Sequence, residues 1–522
     1  MIHILTAIVL LLQPALAQQK ETADALFHRG LEFARQARYG DAEQVFQLGR
    51  SLYPQDKRFP VELAGVAFRR KDRGAARAYL QKALRIDPKD GYANDFLANL
   101  YLLNSNLDAA LKYWNRISKP LIQAVTLEPI PALDALLRER AITISGGQIF
   151  TRSRLHSTEA NLDRLDIFTS RRFQLAPRPD QRFDLTLRLT EASAPFSGWF
   201  GRVLPFARGL PYQTVFFDRY NLSRRAINLN FLGRWDSNKR RAAFTLAAPI
   251  RRDTRFRYRL MADARDEEWD LSSTAESDAL DRLRLRKLEA GGEVLFTLPH
   301  ALEWTTGLRV SRRLTDQHGA SIFQNAWAFS QHNELSSRFY PWPEHRIQFD
   351  ARTILDTGRV FAARGTRYAK TQGSLSGVWH PQAKDEIWAI RAQLRGGYTI
   401  GALPFDEYFQ LGVERDNPLW LRGHAGSRDG RKGRAPLGTR YGLMQTEVDR
   451  MVFRRPFLTV KAGPFFDGGW IADPAKVFRS YGWMPDAGLQ AKVVTLGGFT
   501  WSVTYGRNLK EGGGVFYTAV QR

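Results

Sequence analysis

The sequence predicts three structural regions in one chain: an α-helical solenoid, a small α+β domain, and a transmembrane antiparallel β-barrel of about sixteen strands. Three observations predict them. Residues near the amino terminus recur with a period of 34. The last three-fifths of the chain alternates apolar with polar residues, as a barrel wall with one lipid face requires. Beyond the amino terminus no segment reaches the ~18 uninterrupted apolar residues of a spanning helix, so any membrane crossing there is made by strands.

Composition bounds the function. The chain has 522 residues, 13 Trp, 33 Phe and 17 Tyr, enough aromatic residues for the interfacial girdles of a membrane barrel and equally for a soluble β protein. The formal net charge is +24. Lys and Arg are spread along alternating segments instead of being gathered on one helix or arm, which argues against nucleic-acid binding and for a cationic lumen facing anionic lipid or unfolded acidic clients. With no cysteine, thiolate catalysis, disulfides and cysteine metal sites are excluded. The nine His are scattered, and no His-Glu-x-x-His, Gly-x-Ser-x-Gly or phosphate-loop pattern occurs. An enzyme, a metal site and a cofactor are therefore not expected.

Residues 1–17 read as a secretory signal peptide: Ile4 to Leu12 is an apolar run of the right length, and Ala15-Leu16-Ala17 supplies a small-x-small cleavage pattern. Residues 18–120 carry the repeat. Ala42, Ala76 and Ala110 share the 34-residue spacing, as do Phe46, Leu80 and Trp114, and Gly30, Ala64 and Ala98 place a small residue at another fixed point. This is the tetratricopeptide period, in which small residues let paired helices approach and a large one fills the groove. Its surface reads as a docking face for a periplasmic protein partner, or as a spacer that only positions the barrel.

Residues 121–192 change character. A helix is expected from Ala132 to Arg140 and a second around Leu162 and Leu165. Phe183, Leu185, Leu187 and Leu189 then alternate with polar residues in a period of two. The pattern resembles a single polypeptide-transport-associated (POTRA) domain, a β-α-α-β-β fold whose exposed strand edge could take up an extended client.

The barrel is expected over 193–522. Phe256, Tyr258, Leu260, Ala262 and Ala264 interleave with Arg255, Arg257, Arg259, Asp263 and Arg265; Ile227, Leu229 and Phe231 interleave with Asn228 and Asn230; Phe499, Trp501, Val503 and Tyr505 do the same with Thr500, Ser502 and Thr504. Charged residues facing a watery lumen cost little, whereas in a strand buried on both faces they would be ruinous.

Between Glu407 and Gly469 lies a basic, glycine-rich loop with Leu421-Arg422-Gly423-His424, followed by Glu447 and then by Phe465, Asp467 and Gly469. A long cation with two carboxylates on the following strands suggests a charged latch inside a barrel. The stretch resembles the carboxy-terminal barrel of the BamA/TamA superfamily of outer-membrane insertases and translocases, which carries an (aliphatic)-Arg-Gly-(aromatic) loop motif, a Glu on the next strand, and Phe-x-Asp-x-Gly on the one after. His424 stands where that family has Phe or Tyr.

The resemblance implies an outer-membrane protein of a Gram-negative-type bacterium with periplasmic amino-terminal domains. Its partners would be lipid and lipopolysaccharide, together with unfolded β-barrel or secreted client polypeptides. It implies a lumen latch of Arg422, Gly423, Glu447 and Asp467, supported by Leu421, His424, Phe465 and Gly469. Gly512, Gly513 and Gly514, before Val515 and Tyr517, read as the turn into the last strand, or as a weakened terminal strand that opens as a lateral gate. A passive porin or a two-partner-type secretion pore is the alternative, and an outer-membrane enzyme a further one.

Overall fold

The structure is a computed structural model that describes residues 21–192, 208–277, 281–298, 302–316, 322–323, 325–362, 365–382, 387–455, 458–495 and 499–521. The expected signal peptide, the expected start of the barrel at Ser193 and the terminal Arg522 lie outside the described residues. The chain divides into two compact units, residues 1–119 and 120–522.

In the first unit the 34-residue period becomes three helical hairpins. They are α1 (Ala23–Arg35) with α2 (Tyr39–Leu52), α3 (Arg58–Arg69) with α4 (Arg73–Ile86), and α5 (Gly91–Leu103) with α6 (Leu107–Trp114). Capping explains the boundaries. The side chains of Thr22, Asp72, Asp90 and Asn106 each accept a hydrogen bond from a backbone N–H of the following turn, satisfying a donor that would otherwise lack a helical partner. Ala42, Phe46, Ala76, Leu80, Ala110 and Trp114 are all fully buried. At Gly30 a Cβ would sit 2.3 Å from the Phe46 ring, so the two helices of the first hairpin approach closely only because that side chain is missing. Successive hairpins are also tied by charge: Arg58 meets Asp24 at 2.8 Å, and Lys57 meets Asp87 at 2.7 Å and Asp90 at 2.6 Å.

The second unit opens with a three-stranded sheet, β1 (Ile122–Glu128), β2 (Phe168–Pro177) and β3 (Phe183–Glu191), in the order β1-β3-β2 with β1 parallel to β3. Between β1 and β2 run α7 (Ala135–Ala141) and α8 (Arg152–Leu165). The helix expected from 132 begins three residues later, because Pro131 lies just upstream and the Asp134 side chain caps the Leu137 N–H. Phe183, Leu185, Leu187 and Leu189 point one way and are buried, with Leu187 and Leu189 packed on Leu137, Leu162 and Leu165.

The remaining long strands form one antiparallel series. They are β4 (Thr214–Leu222), β5 (Ile227–Trp235), β6 (Lys239–Ile250), β7 (Asp253–Asp270), β8 (Arg282–Leu298), β9 (Leu302–Thr315), β10 (Trp327–Trp342), β11 (Ile347–Phe361), β12 (Thr366–Trp379) and β13 (Trp388–Gly401). After a long loop come β14 (Arg440–Arg455), β15 (Leu458–Ala472), β16 (Tyr481–Thr495), β17 (Thr500–Asn508) and β18 (Gly514–Gln521). Antiparallel registers tie each to the next, and the strand order is that of a barrel, with β18 beside β4.

Fifteen long strands stand among the described residues, against about sixteen expected. Among the described residues β18 and β4 stand next to each other in the barrel order, and no register is recorded between them. Side chains bridge that junction: the Tyr212 hydroxyl donates to Thr518 Oγ1 at 2.7 Å. The Arg208 guanidinium lies 4.4 Å from the Phe216 ring and 4.3 Å from the Phe499 ring.

The wall inverts the usual pattern. On β9, Trp304, Leu308, Val310 and Leu314 are exposed while Thr305, Ser311, Arg313 and Thr315 are buried. Large apolar groups outside and polar groups inside fit a lipid-facing barrel, not a soluble sandwich. No described helix is long and apolar enough to cross a membrane.

The two ends of the barrel differ. Turns at one end meet the small α+β domain: Asn221 donates to the Ala132 carbonyl at 2.6 Å, Asn228 to that of Leu165 at 2.9 Å, and Arg164 pairs with Glu303 at 2.6 Å. At the other end an apolar cluster of Trp269, Leu271, Leu283, Phe323, Phe405 and Phe478 packs over the lumen.

Candidate functional site in the barrel lumen

The loop between β13 and β14, residues 402–439, touches the wall almost all the way round. Near its start, Asp406 accepts from Arg313 on β9 at 2.6 Å and meets Lys287 on β8 at 2.9 Å; Glu407 meets Lys370 on β12 at 3.3 Å. Further on, Glu414 meets Lys239 on β6 at 3.0 Å, and Asp416 pairs with Arg234 on β5 at 2.6 Å and Arg241 on β6 at 2.5 Å. Trp420 packs edge-on against Tyr517 on β18, ring centroids 5.1 Å apart. A segment that reaches so many strands of one cylinder lies inside it.

Arg422 sits at the far side of this plug and is 6% exposed. Its Nε and Nη2 donate to the two oxygens of Asp467 on β15 at 2.8 and 2.6 Å, a forked arrangement that a lysine could not reproduce. The backbone N–H of Arg422 adds a third bond to Asp467 at 3.1 Å. Nη1 reaches Glu447 on β14 at 3.3 Å and the Gln490 amide oxygen on β16 at 3.0 Å. The guanidinium also stacks over the Phe465 ring, 3.8 Å from its centroid. Leu421 is buried among Phe409, Leu419, Tyr441, Leu443, Ile471 and Met484, so an apolar wedge fixes the residue before the arginine.

Gly423 and His424 lean on a second carboxylate. The Gly423 N–H donates to Asp486 on β16, and His424 Nδ1 lies 3.1 Å from the same oxygen. Asn508 Nδ2 lies 3.2 Å from His424 Nε2. An amide donating to Nε2 leaves the ring proton on Nδ1 facing Asp486, a tautomer assigned from the network. A Cβ at Gly423 would lie 2.6 Å from the Asp486 carboxylate and 2.7 Å from the Asn508 nitrogen, so only glycine fits. Gly469 is less constrained, since a Cβ there would meet Leu411 at 3.2 Å.

The carboxylates are themselves held in place. Lys492 meets Glu447 at 2.6 Å and Asp449 at 2.9 Å, Arg391 meets Asp449 at 2.5 Å, and Gln490 donates to Glu447 at 2.8 Å and to Asp449 at 3.0 Å. Sequence reasoning missed Asp449, Asp486, Gln490 and Lys492, as well as the pairing of the Asp406-Glu407 and Glu414–Asp416 acids with the wall. One signal was available for the last two sets: acids on a basic, buried loop need cations elsewhere. Most of the cations that meet the plug, Arg395 being an exception, are matched by acids, because an isolated charge in a narrow, partly dehydrated channel is costly.

The residues expected at the last strand are placed more simply. Gly512 has φ +80° and closes a hairpin in which its N–H donates to the Asn508 carbonyl at 2.9 Å. Gly514 opens β18, Val515 pairs with Gly506, and Tyr517 lies beside the plug.

Comparison with known proteins adds likenesses of low identity. No family model matches the chain, and no curated protein matches it. Among solved structures, BamA from Haemophilus ducreyi lacking POTRA domains 1–3 is similar at 11% identity and TM-score 0.44, over 77% of this chain and 84% of that one. CdiB from Escherichia coli is similar at 14% identity and TM-score 0.46, over 77% of this chain and 75% of that one. CdiB from Acinetobacter baumannii is similar at 11% identity and TM-score 0.46, over 76% of this chain and 73% of that one.

Proposed function

We propose that the chain is an outer-membrane barrel that inserts polypeptides into the membrane or passes them across it, without covalent chemistry and without a cofactor. One observation carries this reading: a loop pinned through Arg422 to Asp467 fills the lumen of a barrel in which β18 and β4 are neighbours. A barrel whose bore is plugged is suited to handling chains at its wall, where a strand edge can pair with an extended client. The latch of Arg422, Gly423, Glu447 and Asp467 would set the stiffness of the neighbouring wall, and Gly512 to Gly514 with Val515 and Tyr517 would form the movable edge. Lipid and lipopolysaccharide would contact the outer face, where Trp304, Trp327, Trp379 and Trp501 are exposed. The small α+β domain would receive the client as a POTRA domain does, and the three helical hairpins would dock a periplasmic partner.

Crosslinking in cells from a photoreactive residue at position 515 tests the reading. Nascent barrel proteins trapped there would indicate insertion, a soluble exported protein would indicate secretion, and no polypeptide adduct at all would count against both. A passive porin is the second reading. Against it stand the loop in the bore and the apolar cluster of Trp269, Phe323, Phe405 and Phe478 over one end. Single-channel recording separates the two, since a large, steady open conductance would favour the porin.

A further inference from the structure

Beside the plug lies a cavity of about 700 Å³, lined by residues of β4, β18 and β17 and by loop residues 414–418, Trp420 and Arg422. Most of its cations are matched: Arg234 has Asp416 at 2.6 Å, Arg422 has Asp467 at 2.6 Å, and Lys492 has Glu447 at 2.6 Å. Arg395 on β13 departs from this pattern. Its Nη1 donates to the Pro418 carbonyl at 2.6 Å and its Nη2 to the Gln393 amide oxygen at 2.5 Å. Its Nε is buried and has no acceptor, and no carboxylate pairs with it among the described residues. A second cation on the same cavity, Arg415, is held mainly by the Tyr212 carbonyl at 3.1 Å, with Asp236 at 3.5 Å.

A guanidinium left without an acid, in a lumen where its neighbours have theirs, is a place for an anion to arrive. The rest of the lining narrows the class. Thr500, Ser502 and Thr504 present hydroxyls from alternate positions of β17, a spacing of two residues that an extended chain shares. The Trp420 and Tyr517 rings supply flat apolar contact, and the lining offers no long slot of aliphatic side chains that an acyl tail would need.

We propose that this cavity binds an extended polypeptide by its carboxylate, with the guanidinium of Arg395 as the receiving group and Arg415 as a second contact. The proposal deepens the functional reading above and rests on it for the identity of the ligand as polypeptide. It is separate from the Arg422 latch, whose donors are already taken.

The test uses the full chain in detergent micelles and three probes. The first two are an amino-terminally dye-labelled hexapeptide, Thr-Val-Thr-Val-Thr-Phe, as the free acid and as its carboxy-terminal amide; the third is inorganic phosphate. Fluorescence anisotropy is expected to show the acid bound about tenfold more tightly than the amide, as a charge-assisted pair would give. The ratio should vanish in Arg395→Gln, shrink in Arg395→Lys, and persist in Arg359→Gln, which lies outside the cavity. A ratio is read instead of an affinity, so a general loosening of the plug does not imitate the result. Equal binding of acid and amide by the unaltered protein overturns the proposal, as does an undiminished ratio in Arg395→Gln. Displacement of the acid by inorganic phosphate at equal concentration overturns the polypeptide assignment in favour of a free anion. Acid-selective binding without client crosslinks at position 515 would leave the site standing and remove the functional reading; crosslinks without acid selectivity would do the reverse.

Discussion

Asp467 and Asp486 stand directly opposite each other on β15 and β16, both fully buried, and each takes the backbone N–H of a different residue of the same dipeptide. Asp467 accepts from Arg422 and Asp486 from Gly423. Two carboxylates side by side repel. Here the Arg422 guanidinium and two oriented N–H groups offset that repulsion, which makes the wall at this point depend on the loop and the loop on the wall.

Charge reversal at Arg422 should therefore act on both. Arg422→Glu would leave Asp467 and Glu447 facing a third carboxylate, and removing one partner of a buried pair costs about 3–5 kcal/mol. The expected outcome is a barrel that still shifts on gels with heating, unfolds at lower temperature and loses client crosslinks. Full activity with an unchanged transition would dispose of the latch.

Asp486 is predicted to matter comparably, although it lies outside the motif pieces. Asp486→Ala strips the acceptor from the Gly423 N–H and from His424, and an unsatisfied buried donor costs about 1–3 kcal/mol. Limited proteolysis should cut the 402–439 loop faster in this variant. If the cleavage rate matches that of the unaltered protein, the second anchor carries no weight.

The glycines separate by mechanism. Gly423→Ala drives a Cβ into Asp486 and the Asn508 nitrogen, whereas Gly513→Ala meets open space. Gly512→Ala also meets open space but at φ +80°, a backbone cost of about 1–2 kcal/mol for any L side chain. Thermal unfolding should thus rank the losses Gly423 above Gly512 above Gly513, and the reverse order would show that the plug does not press on β16 and β17.

Acid should loosen the helical unit. The Lys57 ammonium holds the Asp87 carboxyl below its usual range, and the Arg58 guanidinium does the same for Asp56, mainly through side-chain hydrogen bonds. A carboxyl whose folded value is depressed contributes stability that is present above the ordinary carboxylate pKa, near ~4, and is lost as pH falls through the depressed value. Helical melting followed by circular dichroism should drop below about pH 4. The drop should be smaller in Asp56→Asn/Asp87→Asn, which starts lower at neutral pH. An identical pH profile in the double variant would assign the acid sensitivity elsewhere.

Sequence order carried a good deal of this protein, and particular residues show why. Ala42, Phe46, Ala76 and Leu80 were legible because a helical hairpin closes within one 34-residue period, so each buried contact lies near in the chain. The alternation through Arg255 to Arg265 was legible because strand side chains change face at every step whatever the neighbouring strand is. The grouping of Arg422 with Glu447 and Asp467 followed from motif order.

What the sequence left open is which strand stands where. Asp486 meets Gly423 because β15 and β16 pair in one register, and Asp406 reaches Arg313 because the loop crosses the bore. Both facts are set by strand number, stagger and closure of the cylinder, which no local pattern encodes. The chain by itself determined the 34-residue helical period and the inverted polarity of the wall, since each of these rests on spacing along one segment. Only the tertiary structure decided which cations of the lumen meet an acid and that Arg395 does not, because ion pairing across a barrel depends on distances between segments far apart in sequence.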